Sequence, residues 1–412
     1  MLLLIFVLIW LFSVFGTKIH MKTHWKQPEI SPAYFVNCST MVDDDKIGWF
    51  AHPQFIERAT IFEKRYQMID CFLAGEPNFR KKKVNGRYGD HCLFCGKSYP
   101  KVSFDNAPHL LSRMMGSHMY SNFECDICNS YFSKFETDFA SYLGISRSIT
   151  WLGSDRKTPG FPGQDIEVKT FEFKGKKVSV IHKENAEQNI ETGTTRLAYG
   201  KPSYTPSNVY RLLLKCGLSL LPNEEVKSKY TETLSFLKNN KVLGGSHVSI
   251  YRYPFTVKMP LHAYVFRKTD YEDNVPMHVI SLYFDNIIIT LPLPLCIDDI
   301  KFYNKLIDMP IAPPYFIGGN DMGDLKATCS IEDLSSPIKL KNEPEDIIMQ
   351  FNKADLDNTV MFNTLTGEET QGRYNPSGSK YFIATEHGVS FTREESKELA
   401  ALIDVKFVNN ST

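Results

Sequence analysis

The chain has 412 residues, enough for about two or three domains. Hydrophobic residues make up 42% and charged residues 23%, which excludes a largely disordered, collagen-like or coiled-coil protein. Lys and Arg number 47, as do Asp and Glu, so the formal net charge is zero. Taken alone, that balance argues against a nucleic-acid partner, because domains that bind nucleic acids usually carry a basic excess.

An apolar segment, residues 2–16, opens the chain. It is shorter than the roughly 20 residues of a membrane-spanning helix, and no basic residue precedes it, as one would in a signal peptide. Two interpretations stay open for residues 1–20: a signal peptide or membrane anchor, or a gene-start artefact with translation beginning at Met21. The second predicts a cytoplasmic protein, and the first an exported or membrane-anchored one.

Residues 21–87 are predicted to form a helical N-terminal region, because apolar and charged residues between 46 and 75 are spaced as in amphipathic helices. Residues 80–134 then carry nine basic and four acidic residues, a net charge of +5. Such an excess is often only a solvated surface, but it also favours binding to phosphates. The candidate phosphate-binding residues are Arg80, Lys81, Lys82, Lys83, Arg87, Lys97, Lys101 and Arg113.

Four of the nine cysteines form two close pairs, Cys92/Cys95 and Cys125/Cys128, with 29 residues between the pairs. An odd number of cysteines cannot all pair as disulfides within one chain. Two C-x-x-C pairs at this separation are typical of a tetrahedral zinc site, and a site closed by four thiolates is structural. The sequence therefore predicts a structural Zn²⁺, with any catalysis supplied by other residues.

The segment between the cysteine pairs predicts a strand over 101–109 that ends at His109, since its residues alternate in polarity. Gly116 and Ser117 predict a turn. From Asp126 onward, aromatic residues recur at helical spacing, so a helix is expected after the second cysteine pair.

This layout resembles the HNH endonuclease family, the ββα-metal or His-Me finger nucleases, in the branch held by two zinc-binding cysteine pairs. The matching features are C-x-x-C-G at Cys92, a strand-end histidine at His109, a glycine turn, Asn122, and C-x-x-C-N at Cys125. The resemblance covers residues 88–145. It implies an α+β fold in which a zinc-stapled ββα-metal module is followed by a larger mixed α+β domain.

The resemblance also implies roles for individual residues. His109 would be the general base that activates water, and Asn122 would orient it through its backbone carbonyl. Asn129 would help to hold one catalytic Mg²⁺ or Mn²⁺. Many family members have an aspartate directly before the histidine as a metal ligand, whereas Pro108 stands here. Asp105, four residues before His109, is a candidate replacement because both would face the same side of a strand.

The rest of the chain contains no recognisable catalytic motif. Residues 146–166 are rich in glycine, proline and serine and predict a linker, and residues 167–412 predict an α+β domain for target recognition or regulation. Its expected elements are a hairpin over 167–181, helices from Pro206 and over 224–237 and 393–403, and paired strands over 248–267 and 275–291.

The residues and the resemblance together predict a metal-dependent endonuclease that hydrolyses phosphodiester bonds. Its expected partner is nucleic acid, double-stranded DNA in the first place. A double-strand break by a chain with one active site would call for a homodimer. Bacterial nucleases of this layout often act in restriction or phage defence. The alternative is a zinc-stabilised nucleic-acid-binding protein without catalysis, which Pro108 favours.

Overall fold

The computed structural model describes residues 49–51, 55–73, 91–152, 160–163, 165–189, 191, 194–239, 243, 245–253, 259–271, 274–302, 311–317, 327–350, 359–362, 369–372, 380–385 and 391–407. The apolar segment 2–16, the basic run 80–83 and Arg87 lie outside these residues.

Helices and antiparallel strands are both abundant, which confirms the mixed α+β class. The helices are α1 (Ile56–Glu63), α2 (Asp126–Leu143), α3 (Ser146–Ile149), α4 (Pro206–Ser219), α5 (Asn223–Lys229), α6 (Thr231–Lys238) and α7 (Arg393–Phe407). The strands are β1 (Trp49–Ala51), β2 (Tyr66–Leu73), β3 (Phe161–Pro162), β4 (Ile166–Phe173), β5 (Lys176–Lys183), β6 (Glu187–Asn189), β7 (Thr194–Gly200), β8 (His247–Arg252), β9 (Met259–Lys268), β10 (His278–Asp285), β11 (Ile287–Pro292), β12 (Tyr315–Ile317), β13 (Thr328–Asp333), β14 (Pro344–Gln350), β15 (Thr359–Phe362), β16 (Glu369–Gly372) and β17 (Tyr381–Thr385). None of the described helices combines the length and the apolar composition that crossing a membrane requires.

The chain divides into two compact units whose boundaries differ from the expected domains. Among the described residues, the cysteine unit comprises those within 49–142 and 204–339, and the hairpin unit those within 143–203 and 340–407. The segment expected as one C-terminal domain is thus shared between the two units. The physical reason is that α4 packs on α6 and β11 of the cysteine unit.

A six-stranded antiparallel sheet, in the order β13-β8-β11-β10-β9-β2, forms the centre of the cysteine unit. Helix α4 packs closely on it, and every α4 residue except Asn208 and Ser219 is buried. At Gly217 a Cβ atom would lie 2.9 Å from the Leu293 side chain and 3.2 Å from that of Ile280. The close approach of α4 to the sheet therefore depends on a glycine at this position.

The N-terminal part of this unit differs from the expected helices. Between residues 46 and 75 the described residues form β1, α1 and β2, and β2 pairs with β9 at one edge of the six-stranded sheet. The pairing register shifts between Met68 and Asp70. This bulge breaks the strict alternation of buried residues in β2, so the strand's sequence has a spacing that imitates a helix.

Two further expectations changed in detail. The helix expected over 224–237 is divided at Tyr230 into α5 and α6, because the backbone of Tyr230 leaves the helical conformation. The expected linker contains α3 and β3. Ile145 and Ile149 are buried, and the Ser179 hydroxyl donates a hydrogen bond to the Ser148 carbonyl, so this part of the segment packs as structure.

The hairpin unit confirms the predicted β4–β5 hairpin. Lys174 and Gly175 both have positive φ, 51° and 76°, which is the combination a two-residue type I′ turn requires. The hairpin belongs to a four-stranded sheet, β17-β5-β4-β3. Helix α7 begins at Arg393, as predicted, and continues to Phe407. The Phe407 side chain packs into the same apolar core as Phe173 and Val178.

Two buried histidines of the six-stranded sheet make the stability of the cysteine unit depend on pH. His278 has its Nδ1 2.7 Å from the Tyr230 hydroxyl, and its Nε2 accepts a hydrogen bond from Arg267 Nε at 3.1 Å. Burial, helped by the charge of Arg267, lowers the pKa of His278 to about 3. Burial likewise lowers the pKa of His262 to about 4.

We expect the free energy of unfolding to fall as the pH drops below about 6.5, because the unfolded histidines then bind protons that the folded ones do not. Urea midpoints at about pH 7 and about pH 5 measure this loss. His278→Gln should show a smaller loss than the parent protein, because it removes one buried histidine of lowered pKa. An equal loss in parent and His278→Gln would contradict the prediction.

Candidate metal centre and active site

The four paired cysteines meet at one point, which confirms that they can hold a metal ion together. One sulfur from each of Cys92, Cys95, Cys125 and Cys128 lies within 4.8 Å of all the others. The sulfurs of Cys95 and Cys125 are 3.7 Å apart, too far for a disulfide bond of about 2.05 Å. Zn–S bonds of about 2.3 Å in a tetrahedron place sulfurs about 3.8 Å apart, so the donor set fits Zn²⁺.

Local backbone geometry builds the first cysteine pair. The Gly96 amide donates to the Cys92 carbonyl, and the Cys92 amide donates to the Lys97 carbonyl, both at 2.8 Å. Gly96 has φ of 70°, a conformation that glycine adopts without steric cost. The predicted turn after Cys95 is thus present, and it directs both thiols of the pair to one point.

The second cysteine pair lies at the start of α2 and is joined directly to the first. The Leu93 amide donates to the Phe123 carbonyl at 2.7 Å, and the Cys125 amide lies 3.4 Å from the Cys92 sulfur. A hydrogen bond from the Cys128 thiol, helped by this amide, lowers the pKa of Cys92. Both contacts favour the Cys92 thiolate, which is the form that binds metals.

His109 lies in a short antiparallel pairing that precedes α2. It forms an isolated bridge with Tyr120, and their rings are 4.7 Å apart. The Leu110 amide donates to the Met119 carbonyl at 2.9 Å, and the Ser121 amide donates to the Pro108 carbonyl at 2.8 Å. These contacts place the histidine on the first arm of a minimal hairpin, with helix α2 following the second arm.

The expected strand over 101–109 is absent, apart from the bridge at His109. Instead, the Asp126 carboxylate accepts hydrogen bonds from the Ser103 hydroxyl and from the amides of Asp105 and Asn106, at 2.5–3.0 Å. These bonds hold residues 103–106 as an irregular loop at the start of α2. Asp105 therefore does not share a strand face with His109, although it is an exposed carboxylate within residues 88–145.

The electrostatic environment of His109 favours its neutral form. Burial lowers its pKa to about 4, and the positive charges of Arg113 and Lys215 act in the same direction. Its Nδ1 is buried and has no hydrogen-bond partner among the described residues. The imidazole is therefore unprotonated at neutral pH, with a ring nitrogen not engaged by those residues.

A buried ion pair, which the sequence analysis did not predict, contacts the backbone of His109. Lys215, on α4, places its Nζ 2.5 Å from the His109 carbonyl oxygen and 2.8 Å from Glu124 Oε2. The side chains of Lys215 and Glu124 are 6% and 0% exposed. Burial raises the pKa of Glu124, and the attraction of Lys215 opposes this. The only signal in the sequence was a lysine within the apolar stretch of α4.

The other predicted site residues occupy varied positions. Asn122 and Asn129 are half-buried; Asn129 lies in the first turn of α2, and its amide donates to the Cys125 carbonyl at 2.9 Å. The described basic candidates, Lys97, Lys101 and Arg113, are exposed. The predicted turn is confirmed, since Gly116, with φ of 86°, ends a short 3-10 helix over Arg113–Met115. The roles of these residues stay predictions.

No family model, no curated protein and no solved structure matches this chain.

We expect the purified protein to contain one Zn²⁺ per chain and Cys125→Ser to retain it poorly, because a closed tetrahedral site needs all four ligands. Changes outside the ligand shell already cost about 10–100-fold in metal affinity, so loss of a ligand should cost at least as much. Elemental analysis after dialysis against a chelator measures retention. Cys329→Ser, which changes an exposed cysteine outside the cluster, should retain zinc like the parent protein. Equal retention by both variants would rule the site out.

We expect Lys215→Met to lower the free energy of unfolding by about 3–5 kcal/mol, because it leaves Glu124 buried without its partner. Urea unfolding of the zinc-loaded protein measures the change. The double variant Lys215→Met/Glu124→Leu should be more stable than the single variant, since it removes the uncompensated charge. A single variant as stable as the parent would show that the pair contributes nothing to folding.

Proposed function

We propose that the protein is a metal-dependent endonuclease of the HNH type that hydrolyses phosphodiester bonds, with DNA as its substrate. The observation that carries the proposal is the setting of His109. A neutral imidazole lies on a short antiparallel pairing directly before a helix, and the same segment contains a four-cysteine cluster. An antiparallel pairing, a helix that follows it and a cysteine cluster are the parts of the zinc-stapled ββα-metal module that the resemblance implies. Their presence together supports the proposal.

In the proposed reaction His109 takes a proton from the attacking water. A histidine with a pKa of about 4 is unprotonated at neutral pH, as a base must be, but it is a weak base. A bound phosphodiester would bring negative charge beside the ring and raise its pKa, since an opposite charge favours the cation. Substrate binding would thus strengthen the base in the place where it is needed.

An exposed charge that lowers the pKa of His109 would also attract the substrate. Arg113 is exposed and close enough to act on the imidazole, whereas the buried charge of Lys215 is balanced by Glu124. An exposed guanidinium beside a base is poorly suited to a cationic substrate and well suited to a phosphate. The electrostatics therefore support a phosphodiester as the bond that is cut.

The resemblance assigns a catalytic Mg²⁺ or Mn²⁺ to Asn129. Asp105 would be a candidate second ligand only on a shared strand face, which the loop at residues 103–106 removes. Amide and carboxylate oxygens are the donors that such hard cations prefer. When bound, the ion would stabilise negative charge on the phosphate and on the leaving oxygen. The clustered cysteines would hold Zn²⁺ in a structural role, because four thiolates leave no open position for substrate.

The proposal also covers the oligomeric state of the protein and its location in the cell. A chain with one such site would cut both strands of a duplex as a homodimer, acting in the cytoplasm in restriction or phage defence. If residues 2–16 are a real signal or anchor, the protein would instead act outside the cytoplasm or at a membrane.

One observation favours a second candidate, a zinc-stabilised nucleic-acid-binding protein without catalysis. Pro108 is buried, and its carbonyl accepts a hydrogen bond from the Ser121 amide. An apolar ring thus stands where many members of the resembled family have a metal-binding carboxylate. On this alternative the basic surface binds nucleic acid, and His109 has only a structural role.

We expect the purified protein to nick or linearise plasmid DNA in the presence of Mg²⁺ or Mn²⁺, and His109→Ala to lose about 10²–10⁴-fold in rate, the range that a general base contributes. Agarose-gel assays with and without a chelator measure the rates. The control is His247→Ala, a half-buried histidine on β8. Zinc content and melting temperature of each variant show whether its fold is intact.

Each alternative gives a different pattern in this assay. Cleavage by the parent and the control but not by His109→Ala supports the nuclease. Plasmid binding without cleavage by any of them, across both metals, supports the non-catalytic protein. Equal cleavage by parent and His109→Ala rejects the role proposed for this histidine.

A further inference from the structure

A groove of about 580 Å³ lies beside the first cysteine pair, and none of the candidate catalytic residues lines it. One wall is the segment His91–Gly96, and the other is the end of α5 with the exposed side of α6. Both walls belong to the cysteine unit. The α5/α6 wall contributes Lys227, Thr231, Leu234, Ser235, Lys238 and Asn239.

Both walls are tied to the core of the unit. The Tyr131 hydroxyl donates to the Leu237 carbonyl at 2.9 Å, which joins α2 to α6. The rings of Phe94 and Phe132 pack edge to face at 4.8 Å, which holds the cysteine wall to the same helix. Arg211 donates to the Asn239 carbonyl at the end of α6, at 3.2 Å. The groove is therefore a preformed feature of the unit.

The polar groups of the groove are suited to an anion. Its lining includes two lysines, an imidazole, two hydroxyls and a carboxamide, and no carboxylate is among the lining residues. Lys227 and Lys238 are exposed. Lys227 is 3.0 Å from Glu224, but Glu224 is 87% exposed, and a surface pair of this kind is weak enough to be exchanged for a phosphate.

We infer that this groove binds the sugar–phosphate backbone of a nucleic acid and is a contact surface separate from the His109 site. Lys227 and Lys238 neutralise phosphates, while Thr231, Ser235 and Asn239 supply hydrogen bonds to the backbone between them. Binding of this kind positions a nucleic acid without reading its sequence. The inference rests on the substrate class of the proposed function, but not on cleavage.

The lysines have one competing role that the test must separate. Four thiolates around a Zn²⁺ leave a net charge of −2, and Cys92 and Cys95 form part of the groove wall. Lysines beside such a centre could serve only to balance its charge. In that case their removal would weaken zinc retention and leave nucleic-acid affinity at the level set by the rest of the surface.

The test compares binding in a His109→Ala background, so that cleavage cannot interfere. Fluorescence anisotropy follows a labelled DNA duplex and a labelled RNA duplex against rising concentrations of protein. The groove variant is Lys227→Gln/Lys238→Gln. The matched control is Lys64→Gln/Lys339→Gln, which removes two exposed lysines of the same unit outside the groove. Thr231→Glu, at an exposed position of the groove, adds a negative charge while leaving both lysines.

Loss of two phosphate contacts should reduce the slope of log affinity against log salt by about 1.8 for a duplex. The affinity ratio of parent to groove variant should therefore shrink about tenfold between about 50 mM and about 200 mM salt. Thr231→Glu should weaken binding in the same direction. The control should keep the parent's affinity and slope, and all variants should keep their zinc.

Several outcomes would overturn the inference. Equal affinity and equal salt slope for His109→Ala with and without the groove substitutions, on both duplexes, would do so. Failure of the His109→Ala protein to bind either duplex would do so too. Zinc loss from the groove variant would assign the lysines to the metal centre instead. Binding that depends on the groove, in a protein that never cleaves plasmid, would reject the proposed nuclease and leave this inference standing.

Discussion

The contact of Lys215 with Glu124 and the His109 carbonyl is the interaction on which the arrangement of the cysteine unit depends. It joins helix α4, which packs on the six-stranded sheet, to the segment that carries the histidine and the second cysteine pair. Both side chains are removed from water, so each requires the other to offset the cost of burial. If α4 packed in another way, Lys215 or Glu124 would be buried without its partner. The cost of that unpaired charge disfavours such a packing.

Other contacts also join the segment that carries the cysteines to the helices α4 and α6, without burying an ion pair. Asp138, on α2, accepts hydrogen bonds from the Thr205 amide and the Asn208 carboxamide at the start of α4, at 2.9 and 2.7 Å. Tyr131 joins α2 to α6. The cysteine segment is therefore anchored on several sides by a chain region more than 60 residues further along. This is why residues 204–339 belong to the cysteine unit.

The charge at individual surfaces of this protein differs from the net charge of the whole chain. The formal net charge of the whole chain is zero, yet Arg113 lies close enough to act on His109, and the groove beside the first cysteine pair has no carboxylate in its lining. The argument against a nucleic-acid partner from whole-chain balance therefore carries little weight. Electrostatic attraction at a surface acts over about 8–10 Å at physiological salt, so distant acids do not cancel these cations.

The sequence by itself determined the features that depend on neighbours along the chain. The cysteine pairs, the turn at Gly116, the start of α2 at Asp126 and the β4–β5 hairpin follow from residue spacing, glycine conformation and local periodicity. Tertiary structure alone decided the features that join distant residues. Lys215 meets His109 across 106 positions of the chain, β2 is an edge strand with a bulge, and residues 101–109 are shaped by bonds to Asp126. No local pattern encodes such pairings, because each depends on which surfaces become adjacent once the helices and strands have packed.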